Sequence, residues 1–589
     1  MSDAAHSLRT TPRLSRRRLS PDTVLGIAMS ALLVVLIVAP MTMVLIQALF
    51  PGALNGQWAF AGVDNLLQIF QRRLWQVSLF NSLELAFGTA LMGGLIGTAL
   101  AMLRHSVRFR GAVALDACTW ALLVMPSFVI AQGWILFAIR DGVAAQWFGL
   151  DGLPALIFSP LGLIGIMSLK NYPFAYLAVS AALQWHVREY GHAAQLCGAK
   201  PGRVLTTVRL PMLLPAILSG AVLVFIDTIG DFGLPAALAT SYRFPMLPYT
   251  IYAAINQSPI RFDLAGVLSF YLVIILAVAV SLYFWLLRRS RHDFLTARAR
   301  AHTPARHAYS PLATALTIVF LMIALGIPMG TSLGVSLTER VGAGLSAENF
   351  TLAHYQAALA DGSRLRQALG HSLSIATLAA LGSLAVSLFA AYLLTFSRFS
   401  LNRLIDITCT ATLAVPGVII GVGFIFVWNH PVADALGVRL YGHPAILVLA
   451  SMAGAIPIAI RVVLGAMGQV PASFLQAASL QGASLGRRLL TILVPLCGAA
   501  LLSAGLAAFG TSVFDLAITS LLHPPGYEVL PVTIDRLFQQ GDYGLSTAFT
   551  LVAGITVVAL ILLTHVLVRR FAMPSAAPSP EPQGTPRHA

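Results

Sequence analysis

The chain has 589 residues, of which 57% are hydrophobic and only 10% charged, with a mean hydropathy of +0.81. A soluble globular protein carries roughly 25% charged residues, so the composition excludes an ordinary soluble domain and points to a polytopic membrane protein. The formal net charge of +15 would suggest a nucleic-acid binder in a soluble chain. Here the basic residues fall in short loops between apolar runs, so the lipid bilayer is the expected partner, nucleic acid is not, and the charge concerns orientation.

In chain order, residues 1–22 form a basic tail with Arg9, Arg13, Arg16, Arg17 and Arg18. The run Ser15 to Ser20 faintly resembles a twin-arginine export signal. The apolar stretch behind it, Thr23 to Phe50, is too long for a signal core, so the tail reads as a cytoplasmic segment. A membrane span needs about 20 apolar residues. Twelve runs meet that test: 23–50, 79–103, 113–137, 156–183, 212–236, 264–287, 311–335, 371–396, 406–429, 442–468, 496–520 and 546–568. Backbone polar groups in lipid must be satisfied internally, so each is expected to be a helix. Every even-numbered run is followed by a basic loop, for example Arg104, Arg108 and Arg110 after the second and Arg569 and Arg570 after the last. By the positive-inside rule both termini are expected in the cytoplasm.

The chain is a tandem duplication. Asn81-Ser82-Leu83 matches His371-Ser372-Leu373, Asp116 matches Asp406, Pro126 matches Pro416 and Gly133 matches Gly423, all at an offset of 290. Pro173 matches Pro457, Gly198 matches Gly482 and Asp231 matches Asp515, at an offset of 284. The single change of offset assigns six extra residues to the loop between the third and fourth runs of the first half. Each half holds six spans, so the two are parallel repeats about an axis along the membrane normal. The expected domains are 23–288 and 311–571, joined by a basic linker at 289–310, with a disordered tail at 572–589.

Two stretches between the fourth and fifth runs of each half are the same loop written twice: His192 to Pro211 and Gln476 to Pro495. Each has a pair of alanines, Ala193-Ala194 or Ala477-Ala478, then Gly198 or Gly482, then Pro211 or Pro495. Glycine permits a positive-φ turn between two short helices, and proline fits the first turn of the next span. No phosphate-binding glycine loop, catalytic constellation, metal-ligand cluster or paired cysteine framework accompanies them. The chain is therefore not expected to be an enzyme or to carry a cofactor, and its energy must come from an ion gradient or a partner.

These loops resemble the EAA loop of binding-protein-dependent ABC importer permeases. The resemblance extends to the segments Phe60 to Phe70 and Phe350 to Leu359, and the two-by-six layout looks most like the fused ferric-iron, thiamine and 2-aminoethylphosphonate permeases. It implies an all-α fold of about 12 membrane helices in two six-helix repeats of the type I ABC importer permease. It also implies coupling loops at 189–211 and 473–495 that seat in two copies of a cytoplasmic ABC ATPase, which hydrolyses the ATP. A periplasmic solute-binding protein would deliver the solute, ferric iron being the favoured one. The sequence departs from the pattern where His192 and Gln476 replace the glutamate; Glu189, one turn earlier, is a candidate substitute.

Asp231 and Asp515, each 20 residues after its loop proline, are expected near the outer ends of their spans. They are candidates for a gate or a solute contact, with Asp227 in the same network. Pro126 and Pro416, followed by Gly133 and Gly423, mark irregular helices of the kind that line a path. Lys170 and Glu84 are expected to snorkel, and Asp116 and Asp406 to serve as helix N-terminal charges. A secondary transporter driven by protons or sodium is the alternative of another class. It predicts a glycine- and aspartate-rich signature between the second and third spans, which the sequence RHSVRFRGAVALD lacks.

Overall fold

The computed structural model describes residues 20–183, 187–238, 242–290, 310–344, 346–412 and 415–572. The basic tail before Ser20, nearly all of the linker, the tail beyond residue 572 and the side chains of Glu189 and His192 lie outside the described residues. Among the described residues there is no strand, only one isolated antiparallel bridge between Thr338 and Phe350.

The first half runs α1 (Pro21–Leu49), α2 (Arg73–Ser106), α3 (Ala112–Val124), α4 (Ser127–Ala138), α5 (Pro160–Leu183), α6 (Val187–Leu196), α7 (Pro201–Gly230), α8 (Gly233–Leu238), α9 (Leu247–Asn256) and α10 (Phe262–Arg288). The second half repeats the order as α11 (Pro311–Ser336), α12 (Arg364–Phe396), α13 (Asn402–Ala411), α14 (Gly417–Trp428), α15 (Ala445–Met467), α16 (Ala472–Leu480), α17 (Leu485–Leu496), α18 (Gly498–Val513), α19 (Leu516–Leu522), α20 (Leu530–Gln539) and α21 (Tyr543–Val568). The six extra residues of the first half are visible. Two short helices, Val143–Phe148 and Leu153–Ile157, lie between α4 and α5, against the single Pro431–Ala435 in the second half.

Among the described residues, eight helices are long and apolar enough to cross a membrane, and two bent pairs bring the number to ten. The other two expected spans fall on α5, a 24-residue helix interrupted by Lys170 and Asn171, and on the broken pair α13 and α14. Both third spans therefore depart from the straight helices that hydropathy suggests. α3 and α4 meet at 105° around Met125 and Pro126, and Pro416 likewise N-caps α14. Proline removes a helix N–H and fixes φ, so it stops the first helix and starts the second. The fifth spans are also shorter than expected: α7 ends at Gly230 and α18 at Val513, each just before its aspartate.

Four π-turns share one sequence rule. Val34–Val38, Leu205–Arg209, Met322–Gly326 and Leu489–Leu493 are each followed, after one intervening residue, by a proline: Pro40, Pro211, Pro328 and Pro495. A proline inside a helix clashes with the carbonyl four residues earlier, and widening the turn relieves that clash. Pro211 and Pro495 are thus not in the first turn of a new span, as expected, but inside helices that already began at Pro201 and Leu485.

Each half's first helix crosses to the other half. The Pro40 segment of α1 lies on α14, where a Cβ at Gly423 would stand 2.7 Å from the Pro40 carbonyl oxygen. The Pro328 segment of α11 lies on α4, where a Cβ at Gly133 would stand 2.7 Å from the Pro328 Cα. At the end carrying the basic loops, Tyr392 of α12 donates to Asp22 of α1 at 3.1 Å, and the Ser310 N–H donates to the Arg108 carbonyl at 3.5 Å. Within the first half, α2, α5 and α7 pack through small residues: Gly97 against the Tyr172 and Tyr176 backbone and Gly220 against Ala175. The two cores join into one molecule along these exchanged helices.

Candidate functional site: two repeated loops and a seam between the halves

At the basic end, α6 and α16 finish in the same hydrogen-bonded elbow. Gly198 has φ +86° and Gly482 has φ +79°. Gly198 N–H donates to Gln195 at 2.9 Å and Ala199 N–H to Ala194 at 3.0 Å. Gly482 N–H donates to Ser479 and Ala483 N–H to Ala478, both at 3.0 Å. This is the Schellman closure, in which a left-handed residue turns the chain and satisfies the last carbonyls. The second alanine of each pair supplies the acceptor. The elbows present Ala193, Gln476 and Ala477 to solvent together with one residue that sequence reasoning did not single out. Leu196 is 90% exposed and Leu480 89% exposed. A leucine at the same register of two polar loops was the available signal.

At the opposite end, the candidate residues converge as two related clusters. In the first half, Asp231 accepts from the Leu234 N–H at 3.0 Å, which caps α8, and from the Ser127 hydroxyl at the start of α4. In the second, Asp515 accepts from the Ile518 N–H at 2.9 Å, capping α19, and a Cβ at Gly417 would lie 3.4 Å from its Oδ1. Each aspartate thus follows the fifth span and caps the next short helix; Asp231 also ties that helix to α4 through Ser127, whereas Asp515 only lies against α14 at Gly417. The clusters meet across the molecule: a Cβ at Gly230 would stand 2.7 Å from the Pro416 ring, and α8 packs on α20. We refer to this meeting as the seam. Gly133 and Gly423 lie elsewhere, under the crossing helices α11 and α1.

The two sides of the seam differ chemically. Beside Asp231, Lys170 of α5 pairs with Asp227 of α7 at 3.2 Å, and Asn171 donates to Thr228 at 2.9 Å. The residues at the equivalent positions are Gly454, Ala455, Thr511 and Ser512, so the second half has no such pair. Lys170 is 8% exposed; it does not snorkel but lies buried against its partner Asp227. Glu84, by contrast, is exposed on α2. Asp116 and Asp406 are not first-turn charges either. Asp116 accepts from Arg104 at 2.9 Å and from Tyr176 at 2.6 Å, and Asp406 accepts from Thr410 at 3.4 Å.

The seam carries Phe232, just before α8, with Tyr249 and Tyr252 of α9 from one half and Asp535 of α20 from the other. Tyr252 lies 5.3 Å from Phe232 and 5.9 Å from Tyr249, centroid to centroid. Burial pushes the Asp535 carboxyl up to about 7, against the lowering effect of the hydrogen bond from Gln539. Burial pushes both tyrosines up as well, and the Asp535 charge adds to that. Among the described residues no three His, Cys, Asp or Glu side chains gather as a metal site.

Residues 93–292 and 383–573 each match the family described as binding-protein-dependent transport system inner membrane component. The chain belongs to that family. As a permease with two copies of the family domain, it is similar over 82% of its length, at 24% identity, to the ferric transport system permease protein FbpB of Actinobacillus pleuropneumoniae, covering 70% of that protein. It is also 24% identical to the probable ABC transporter permease protein y4fN of Sinorhizobium fredii, over 85% of this chain and 89% of that one. The molybdenum transport system permease protein ModB of Mycobacterium tuberculosis matches 35% of this permease at 28% identity and is itself covered to 77%. The chain is thus a fused, two-domain permease of a type I ABC importer, a multi-pass protein of the inner membrane.

Proposed function

We propose that this permease forms the translocation path of a ferric-iron importer and is driven by two copies of a cytoplasmic ABC ATPase. The basic end is cytoplasmic, with both termini, and the seam closes the periplasmic end, where a solute-binding protein delivers its cargo. The observation that carries the reading is the pair of identical elbows at one end of the molecule, each exposing a leucine. A leucine so exposed is stabilised by entering an apolar groove, and two elbows on one chain suit a pair of ATPase subunits. Ala193, Ala194, Gly198 and Pro211, and Ala477, Ala478, Gly482 and Pro495, give each elbow its shape, with His192 and Gln476 at the position where a glutamate is usual. Asp231, Asp515, Pro126 and Pro416 form the gate. Iron is favoured because two of the relatives are ferric transport permeases.

Reconstitution tests this. Vesicles holding the full chain with its ATPase are expected to take up radioactive ferric iron only with ATP and the binding protein present. Competition by 2-aminoethylphosphonate, thiamine or molybdate would reassign the solute. Uptake by the chain alone under a proton or sodium gradient would overturn the reading.

A further inference from the structure

The repeated triplet Asn81-Ser82-Leu83 and His371-Ser372-Leu373 has no part in the elbows or in the aspartate clusters, yet the fold gives both copies one task. Leu247 is the first residue of α9, and its cap residue Met246 offers no side-chain acceptor. Its N–H instead donates to Ser82 Oγ of α2 at 2.8 Å. Leu530 opens α20 behind Val529, which also offers none, and donates to Ser372 Oγ of α12 at 2.8 Å. The residue before each serine holds the carbonyl two positions upstream. Asn81 Nδ2 donates to the Pro245 carbonyl at 3.0 Å, and His371 Nδ1 to the Glu528 carbonyl at 2.8 Å. Both serines are buried. The first N–H groups of a helix lack internal partners, and here a different helix supplies the cap.

The supplements differ between copies. In the first half the Ser78 and Thr250 hydroxyls bond at 2.8 Å. In the second, the His371 ring stacks on Tyr527 at 4.0 Å. Arg536 donates to Glu528 at 2.8 Å.

We propose that Asn81 with Ser82, and His371 with Ser372, are positioning residues that clamp the seam helices α9 and α20 to the long second spans. α2 and α12 pack on the fourth and fifth spans of their own half; α9 and α20 pack on α10 and α21 behind them and reach across to α14 and α8 of the opposite half. The clamp makes each seam helix travel with the rigid body behind it, so a rotation of the halves opens or closes the seam as one event. Without it, the first turns of α9 and α20 lose their hold on the second spans and shift while the halves stay still, and the outer end leaks. This rests on the reading of that end as the external gate.

The test is external access to the fifth span below the seam. In the full chain with Cys197→Ser, the substitution Thr511→Cys places a thiol on the exposed face of α18, at the position equivalent to Asp227. Labelling of that thiol by a membrane-impermeant maleimide, from the side opposite the elbows, is the readout. Ser82→Ala with Ser372→Ala, and separately Asn81→Ala with His371→Ala, should raise the labelling rate about tenfold or more, as loss of a buried hydrogen bond implies. The exchange Asn81→His with His371→Asn keeps a donor at both sites and should restore the slow rate. Unchanged labelling in both alanine pairs overturns the clamp, and so does fast labelling in the exchange variant when its thermal midpoint equals that of the parent. The labelling needs no solute. Failure of the parent to transport iron with ATPase and ATP would therefore count against the proposed function, and would leave the clamp result standing.

Discussion

Lys170 shows what a single residue adds to the reading of this chain. Counting depth along the apolar run treats it as a cation off the bilayer centre that can snorkel. Its partner, Asp227, stands 57 positions later on α7, and only packing brings the two together. A buried ion pair is weakly stabilising as a unit, but removing one partner strands the other charge at a cost of about 3–5 kcal/mol when both are fully buried. With Asp227 one-third exposed at its side chain, a smaller penalty of about 2 kcal/mol is expected for Lys170→Met. The thermal midpoint in detergent should fall accordingly, and Lys170→Met with Asp227→Leu should recover most of the loss. Recovery absent in the double variant would mean that Lys170 stabilises the fold by packing of its stem and not through the ion pair. Asp535 permits a pH test with the opposite sign from an ordinary paired carboxylate. Its folded value, raised to about 7, exceeds the unfolded value of about 4. The folded protein therefore binds the extra proton between those limits, and stability falls as pH rises through that window. Asp535→Asn keeps an acceptor for Gln539 and removes the charge. It should match the parent at pH values near 4 and melt higher than the parent above 7.

Elements were legible in the sequence to different degrees, for physical reasons. Apolar length marks a helix, so α1, α2, α10, α11, α12, α15 and α21 fall where hydropathy puts them. Hydropathy contains no direction, so it could not show that the first half's third span turns through 105° at Pro126, although the proline was visible. The duplication was legible because matching residues do matching work: the elbows, the capping aspartates and the Ser82 and Ser372 clamps all recur. Gly133 and Gly423 were visible as repeats but not as crossing points, because their contacts come from the opposite half. Their role is testable at the element scale. A side chain at Gly423 must displace the Pro40 backbone, which is buried two residues after a π-turn. Overpacking of this kind costs about 1–3 kcal/mol. Gly423→Val and Gly133→Val should each loosen the crossing of α1 or α11, measured as faster proteolysis of the chain at the α1 or α11 boundary. An equal valine substitution at Gly465, where a Cβ would meet nothing within 4 Å, should have no such effect.

At the scale of the whole molecule, the permease is a repeated structure with an ion pair in one half alone. Both ends repeat: elbows at one, aspartate-capped half-helices at the other, with exchanged first helices tying the halves together. Departures from symmetry are few. Lys170 and Asp227 have no counterpart, and the second elbow leads into a fifth span bent by 85° at Cys497, whereas α7 is continuous. If each elbow serves one ATPase subunit, the elbows must act separately in docking and jointly in transport. Burying a leucine contributes about 1.5–3 kcal/mol. Replacing Leu196 or Leu480 by Arg should thus weaken ATPase binding at that elbow by about tenfold or more. Purified complexes of Leu196→Arg should retain one ATPase subunit per chain, as should those of Leu480→Arg. The double variant should retain none, while all three keep the parent's melting behaviour because neither leucine touches the core. ATP-dependent uptake should vanish in each single variant, since one engaged elbow moves only one half and the seam needs both. A double variant that still carries two ATPase subunits would place docking outside the elbows. A single variant that transports at the parent's rate would show that the two halves need not move together.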